Sequence, residues 1–365
     1  MNLKDYENTR SLFEGFNYQV VVRAVVEGTS PGKIWVNDVS NPTSGFMATT
    51  EGWFLAGAPE NEEFNKNLRM LVHDMILNGK YYSPVNPDFL HELFFHIDSE
   101  RWKTKFSYIF DIRPPLPSYR MHFVCRKVVL DWHKMIPTDY QIISVDSDFD
   151  IGLFECPPDV QEWISHSLED QKKRGFGKCL IHGNKIVVWV NADCASKNEC
   201  EIGIITTDDY RRKGLGSITA AATVDSCLSK GYSLIGWHCD NHNYGSIAVA
   251  EKVGFEKERD YVHYICMFDE AVHFAETGRR QFYSAKYDEA ISSFNEAFRL
   301  GNASSWAYIL TGRSYIGLGR HADASDYFLK AKSNGWSDWS WLLRNEEIKS
   351  KYTTEEWNDL LSKLL

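Results

Sequence analysis

The sequence predicts a mixed α/β fold over roughly residues 1–268, followed by an all-α tail. Three observations carry this. From Glu199 to Phe255 the chain alternates strand-like and helix-like runs around a glycine-rich turn. Ile202-Gly203-Ile204-Ile205 is short, apolar and β-branched, as a buried strand is, and Ile218, Ala221, Ala222, Asp225 and Leu228 then recur at helical spacing. Further strand-like runs with helices between them lie on both sides, the order that builds a sheet covered by helices. Beyond residue 269 the strand pattern stops and a 34-residue period begins. Gly278, Tyr287, Ala290, Phe294 and Ala297 recur as Gly312, His321, Ala324, Phe328 and Ala331, and Phe274 recurs as Tyr308.

Taken in order, Lys33–Val36, Ser44–Thr50 and Gly52–Gly57 are strand-like and separated by Asn, Pro and Gly turns. Residues 61–78 predict an amphipathic helix with Phe64, Leu68, Leu71, Val72, Met75 and Ile76 on one face and Glu60, Glu62 and Glu63 near its start. A helical stretch is expected around Phe89–Phe95 and a strand over Lys105–Ile112. Prolines 114, 115 and 117 then mark a boundary near 114–119. Met121–Leu130 and Gln141–Val145 read as strands. Pro157–Ile164 opens a helix, with Asp159 as a cap and Glu162 three residues on. Gly177–Asn191 reads as a hairpin turning at Gly183-Asn184. Cys200–Thr206, Leu234–Cys239 and Tyr261–Phe268 complete the strands, with a helix over Asn243–Val253. These boundaries divide the chain into 1–118, 119–268 and 269–365.

The formal charge of −10 is spread as −4, −4 and −2 over these three segments. No segment is strongly basic, which argues against nucleic acid as the main partner. No run of about 18 apolar residues indicates a membrane span, and the first residues lack the basic-then-apolar order of a signal peptide. The eight cysteines are scattered without a C-x-x-C pair, so reduced thiols of a cytoplasmic protein are expected.

The glycine-rich turn carries the chemistry. Thr206-Thr-Asp-Asp-Tyr-Arg211-Arg212-Lys213-Gly214-Leu215-Gly216-Ser217 joins a strand to a helix N-terminus, where free backbone N–H groups and the positive helix end suit a phosphate. Gly214 and Gly216 allow close approach, and three basic side chains precede them. Neither the Walker pattern nor G-x-G-x-x-G is present. Arg211-x-x-Gly214-x-Gly216 resembles the pyrophosphate loop of the GNAT N-acetyltransferase superfamily, R/Q-x-x-G-x-G/A. Downstream, Asn243-Tyr-Gly-Ser246-Ile-Ala-Val-Ala250-Glu-Lys252-Val-Gly254-Phe255 is similar to the later superfamily motif N-x-x-[AS]-x-x-x-Y-x-K-x-G-F. Glu201-Ile-Gly-Ile-Ile-Thr206 resembles a subgroup with E-I-G-I-x-T before the loop. The resemblance covers roughly residues 140–268.

It implies a GNAT fold with a mixed central sheet for 119–268. Residues 1–118 would be a degenerate GNAT-like region that shapes the site without a cofactor of its own. The 34-residue period resembles two tetratricopeptide (TPR) units, departing from the consensus at His321, Asn302 and Trp336; Thr353-Thr-Glu-Glu356 supplies a capping box for a last helix. The implied donor is acetyl-CoA. Its pyrophosphate would rest on Arg212, Lys213, Gly214, Leu215, Gly216 and Ser217, beside Arg211. A backbone N–H at Ile204, Ile205 or Thr206 would polarise the thioester carbonyl, and Asn243 and Ser246 would lie along the pantetheine arm. A primary amine would attack directly, without an acyl-enzyme.

Glu201 is the candidate base. The superfamily's usual position falls on Cys200, so Glu201 would point to the opposite face unless a bulge shifts the register; Glu199 shares its face. The usual acid, a tyrosine, is replaced by Ala250, with Tyr244, Tyr261 and Tyr264 as nearby substitutes. His238, Cys239, Asp240 and His242 form a loop cluster that could hold zinc, but without a spaced pair a structural role is favoured and no metal is expected. Trp336, Trp339 and Trp341 read as core. Two other readings stay open: a non-catalytic acyl-CoA-binding regulator, and a scaffold that binds a protein partner through 269–365. The acceptor amine is left unidentified.

Overall fold

In the computed structural model, residues 1–79, 91–164, 168, 172, 177–301 and 303–365 are described. Among them, eleven strands form one sheet: β1 (Gly32–Val36), β2 (Ser44–Thr49), β3 (Gly52–Gly57), β4 (Glu92–Ile97), β5 (Leu116–Cys125), β6 (Tyr140–Val145), β7 (Gly177–His182), β8 (Lys185–Ser196), β9 (Glu199–Thr206), β10 (Leu234–Asp240) and β11 (Glu256–Met267). Their spatial order is β1-β2-β3-β4-β11-β5-β10-β9-β8-β7-β6. The order is close to a palindrome. In one half antiparallel β2 and β3 lead to β4, parallel to β3; in the other, antiparallel β8 and β9 lead to β10, parallel to β9. A parallel step needs a crossover. Helix α2 (Glu62–Asn78) supplies it in the first half and a long helix, Leu215–Ser229, in the second. The antiparallel pair β5–β11 lies between the halves.

Local sequence explains most elements. Helix α2 buries Phe64, Leu68, Val72, Met75 and Ile76, and the Asn61 side chain caps its start by accepting from Phe64 N–H. Before it, α1 (Val20–Val26) is a short run of valines buried on nearly every side; its cluster includes Cys194 of β8. The N-terminal segment therefore packs on the second half of the sheet.

Three expectations change. The stretch around Phe89–Phe95 is strand β4 rather than helix, although Phe89 lies outside the described residues. Lys105–Ile112 contains the helical turn α3 (Phe106–Ile109) instead of a strand, with Phe110 stacked on Phe95 and Phe106 edge-on to it. The strand expected at Met121–Leu130 starts earlier, at Leu116, and runs through Pro117. The proline cluster thus does not interrupt the sheet, and position 118 lies inside β5. In α4 (Pro158–Ile164), Asp159 sits within the first turn.

The chain divides into two units, Met1–Ile265 and Cys266–Leu365. The second, taken alone, is helical: α5 (Leu215–Ser229) and α6 (Tyr244–Val253) belong to the first unit, and α7 (Glu270–Tyr283), α8 (Tyr287–Leu300), α9 (Ser305–Gly317) and α10 (His321–Ser333) to the second, followed by α11 (Ser340–Leu343), α12 (Glu346–Lys349) and α13 (Thr354–Leu364). A Cβ on Gly278 would sit 2.8 Å from the Phe294 ring, and one on Gly312 would sit 2.5 Å from Phe328, the same contact 34 residues later. Asn302 lies outside the described residues. The capping box at Thr353 and Glu356 is present, and Trp339, Leu342 and Trp357 are buried together. No helix among the described residues is long and apolar enough to cross a membrane.

Candidate active site

Parallel strands β9 and β10 pair only at Leu234↔Glu199, Ile235↔Cys200 and Gly236↔Glu201. Beyond Glu201 they part. The edge of β9 from Ile202 to Thr206 keeps its ladder with β8 on one side and faces an open wedge on the other. Backbone groups on such an edge need partners. Two adjoining cavities occupy the wedge and share Ile204, Asn243 and Ser246.

The larger cavity, about 570 Å³, is lined by Ile204, Ile205, Thr206, Arg211, Arg212, Gly214, Leu215, Gly216 and Ser217 from β9 and the loop, with Asn243, Ser246 and Lys252 from α6. Helix α5 starts here at Gly214, which is left-handed (φ 78°), and no side chain caps it. Its first-turn N–H groups therefore remain available. Helix α2, by contrast, is capped by Asn61 and begins with Glu62 and Glu63, a start that disfavours an anion. A Cβ on Gly216 would lie 3.3 Å from both Ile204 Cδ1 and Thr206 Oγ1, so glycine lets the helix start approach β9. Arg211 folds back, its Nε donating to Thr206 O (3.0 Å) and its guanidinium pairing with Asp208. Lys213 does not line the cavity; its ammonium lies over the Tyr210 ring at 4.9 Å. Lys252, which the sequence reading did not place among the binding residues, does line it. Asn243 caps α6 by accepting from Ser246 N–H, and Ser246 Oγ accepts from Trp237 Nε1, which fixes both residues at the junction. These groups fit a pyrophosphate-bearing thioester such as acetyl-CoA: unpaired N–H donors at a helix start, a cation beside them, and an unpaired strand edge for the carbonyl.

The smaller cavity, about 280 Å³, is lined by Glu201, Gly203 and Ile204 of β9, His238 and Asp240 of β10, and Tyr261 of β11. Cys200 and Ile202 point into the core beneath α5, whereas Glu201 points toward α1. The register shift between Ala192 and Cys194 is on β8, so β9 keeps its own alternation and Glu201 stays on the face opposite Cys200. Its carboxylate is buried. Oε1 accepts from Val20 N–H (2.7 Å) and lies 3.0 Å from His238 Nε2, and Oε2 accepts from Cys194 Sγ–H (3.1 Å). Burial opposes ionisation, but the electrostatic pull of His238 and the hydrogen bonds from His238, Val20 and Cys194 outweigh it and hold the carboxyl well below the usual carboxylate range. Glu199, on the same face, is tied to Arg23 of α1 and lies outside the cavity.

His238 Nδ1 lies 2.9 Å from the Tyr261 hydroxyl. Glu201, His238 and Tyr261 thus form a hydrogen-bonded chain whose members all line the cavity. Of the tyrosines near the later motif, Tyr244 is exposed and Tyr264 packs among Phe95 and Phe106; only Tyr261 reaches the site, and burial pushes its hydroxyl pKa up. Ala250 is fully buried against β10, where a tyrosine would not fit without displacing core.

The ligand atoms of His122, Glu201 and His238 lie within 4.8 Å of one another. Of the loop cluster singled out in the sequence, only His238 belongs to this group. The two imidazoles are stacked, 4.3 Å apart and 8° from parallel. Nitrogen lone pairs lie in the ring planes, so parallel stacked rings cannot both aim at one ion, and the arrangement does not suit a metal. His122 Nδ1 pairs with Glu258 at 2.9 Å; burial and the adjacent His238 push His122 down to about 4.

The profile described as GNAT acetyltransferase matches residues 10–264. An uncharacterized N-acetyltransferase of Bacillus subtilis (strain 168), YdfB, is 27% identical over 268 residues, covering 72% of this chain and 95% of its own. The solved structure of a GCN5-related N-acetyltransferase-like protein from Streptococcus suis 89/1591 aligns with 18% identity and a TM-score of 0.47, over 72% of this chain and 98% of that one. A GCN5-related N-acetyltransferase from Sphaerobacter thermophilus aligns with 8% identity and a TM-score of 0.46, over 73% and 94%.

Proposed function

We propose a reaction for this chain from the premise that it belongs to the GNAT acetyltransferase family, whose profile spans most of it. The chain is an N-acetyltransferase; our reading is that it moves acetyl from acetyl-CoA to a primary amine by direct attack. The observation that carries this is the parting of β9 and β10 beside an uncapped helix start, with a buried Glu201–His238–Tyr261 chain across the wedge. Acetyl-CoA supplies the activated acyl group. Backbone N–H groups from Arg212 to Ser217, with Lys252, hold its pyrophosphate, and the free edge at Ile204–Thr206 receives its carbonyl. Asn243 and Ser246 sit where the donor groove meets the acceptor cavity.

A carboxylate saturated with donors and held at low pKa is a weak direct base. Glu201 therefore acts as the charge partner of His238. The Tyr261 hydroxyl, which lines the cavity, takes the amine proton as its own passes to His238 Nδ1, and Glu201 stabilises the cation formed; the amide bond forms as the thioester C–S bond breaks, and CoA leaves as a thiolate that the relayed proton neutralises to the thiol. Gln19, Glu51 and His96 line the cavity from the N-terminal half, which supports that half as a shaping element without its own cofactor. The helical unit reads as a TPR-like pair, supported by the Gly–Phe contact repeated at 34 residues, and is a candidate surface for a protein partner. Eight free cysteines support a reducing, cytoplasmic setting.

Calorimetric titration with acetyl-CoA tests the donor site. The wild type should bind, Gly214→Glu should not, and Lys252→Glu, a change at an exposed side chain, should weaken binding roughly tenfold. Wild-type protein that does not bind acetyl-CoA would overturn the reading.

A further inference from the structure

The acceptor cavity holds polar atoms that the relay does not use. Gln19 and His96 are 4% and 2% exposed, and Gln19 Nε2 and His96 Nδ1 have no hydrogen-bond partner. Both line the cavity, as does Arg120. Arg120 Nε also makes no hydrogen bond; the Asp240 carboxylate stands 3.6 Å from it, beyond good hydrogen-bond reach. Buried donors left without acceptors are costly, so Gln19 Nε2 and Arg120 Nε, with the unpartnered His96 ring nitrogen beside them, point to a ligand that supplies acceptors.

Strand register sets where that ligand lies. Arg120 and His122 alternate onto the same face of β5. His122 is opposite His238 and Arg120 is opposite Asp240, while Tyr261 of β11 is opposite Arg120. Two residues along a strand advance about 7 Å. Arg120 is therefore one step along the sheet from His238 and beside Tyr261. An acceptor anchored at Arg120 keeps its amine on a short tether from the proton relay.

The charge pattern narrows the anchor. Glu51, Asp240 and Glu201 line the same cavity, so a dianion such as a phosphate would face three carboxylates for one guanidinium. A zwitterion meets both signs. A planar carboxylate also matches the two-pronged donor edge of arginine. At about 280 Å³ the cavity takes a molecule of amino-acid size and not a folded protein.

We propose that the acceptor is an amine carrying a carboxylate, of amino-acid type, whose carboxylate is read by Arg120 with Gln19 and His96 while its amine faces Tyr261 and His238. This rests on the N-acetyltransferase reading above and names its substrate class.

The test is acetylation of the common α-amino acids and of β-alanine and γ-aminobutyrate, each beside its carboxamide, followed by release of free CoA thiol. At least one acid should exceed its amide by tenfold or more in kcat/KM. Arg120→Met should abolish that preference through KM, and Arg120→Lys should retain part of it; thermal melts establish that both variants fold. Equal use of acids and amides, use of other amines only, or a preference that survives Arg120→Met would overturn the assignment. If no amine is acetylated, saturation-transfer NMR with the same acids decides separately from turnover. Binding lost in Arg120→Met sustains the substrate class and faults only the acetylation reading. Acids that neither bind nor react overturn the substrate class.

Discussion

Glu201 Oε1 lies 3.0 Å from His238 Nε2 at the point where β9 and β10 stop pairing, so the buried carboxylate holds the imidazole at the mouth of the wedge. Val20 N–H from the N-terminal helix and Cys194 Sγ–H from the neighbouring strand β8 complete the carboxylate's partners. If Glu201 works through His238, Glu201→Gln and His238→Gln should each lower kcat by about 10²–10⁴. The double variant should be little worse than the stronger single one, because the two act as a unit. Acetyl-CoA affinity by calorimetry should hardly change. Additive losses would show two independent roles.

Tyr261 is the cavity-facing end of the same chain. Tyr261→Phe removes only the hydroxyl that meets His238 Nδ1. We expect kcat to fall by about 10²-fold or more, with melting temperature nearly unchanged. Tyr244→Phe and Tyr264→Phe should leave turnover near wild type, since one hydroxyl is in solvent and the other ring sits in an aromatic cluster. Steady-state rates for the three variants separate the assignments; a large loss in Tyr264→Phe would place the proton relay elsewhere.

The glycine-rich groove was legible because it depends on local sequence. Gly214, Gly216 and Asn243 act through backbone conformation and capping, which short motifs encode. Much of the second cavity was not, because Gln19 ahead of α1, Glu51 between β2 and β3, His96 on β4 and Arg120 on β5 lie far along the chain from Glu201, His238 and Tyr261, which the sequence did single out. One signal was available. Tyr119–Cys125 alternates Arg120 and His122 with Met121, Phe123 and Cys125, a polar face opposite an apolar one. Two charged or titratable side chains on one face of a strand between prolines and a core run mark a site. Likewise, the aromatic run Phe94-Phe95 suits a strand or a helix equally, and pairing with β3 decides for the strand.

The stacked histidines give the fold an acid sensitivity with two stages. His122 is held at about 4, below its ordinary 6.5, by burial and then by His238, with Glu201 and Glu258 opposing. The unfolded chain therefore takes up this proton first. Stability should fall as pH drops from about 6.5 and level near 4 for this group. Glu201 behaves as a depressed carboxylate. Its contribution is complete above about 4.5 and is lost as pH falls toward about 2. Denaturant midpoints across pH should show both stages. His122→Phe, which keeps a ring against His238 but cannot take a proton, should remove the upper stage and leave the lower. An unchanged upper stage would assign it to another group.

Gly278 and Gly312 occupy corresponding positions on α7 and α9, each against a phenylalanine 16 residues later. In an isolated helix, alanine would be favoured over glycine by about 1 kcal/mol. Here the added Cβ would meet a ring at 2.8 Å in Gly278→Ala and at 2.5 Å in Gly312→Ala, and forced overpacking costs about 1–3 kcal/mol. The clash should exceed the propensity gain, and Gly312→Ala should be the worse. Amide exchange of α7 to α10 in the full chain should speed up in both variants, while β8 and β9 keep their protection. Pairing Gly278→Ala with Phe294→Leu removes the ring that the new methyl strikes, so the pair should recover part of the loss, a coupling that distant sites would not show. If Gly278→Ala slowed exchange instead, these glycines would not be set by close helix packing, and the repeated contact would lose its weight as support for the TPR-like reading.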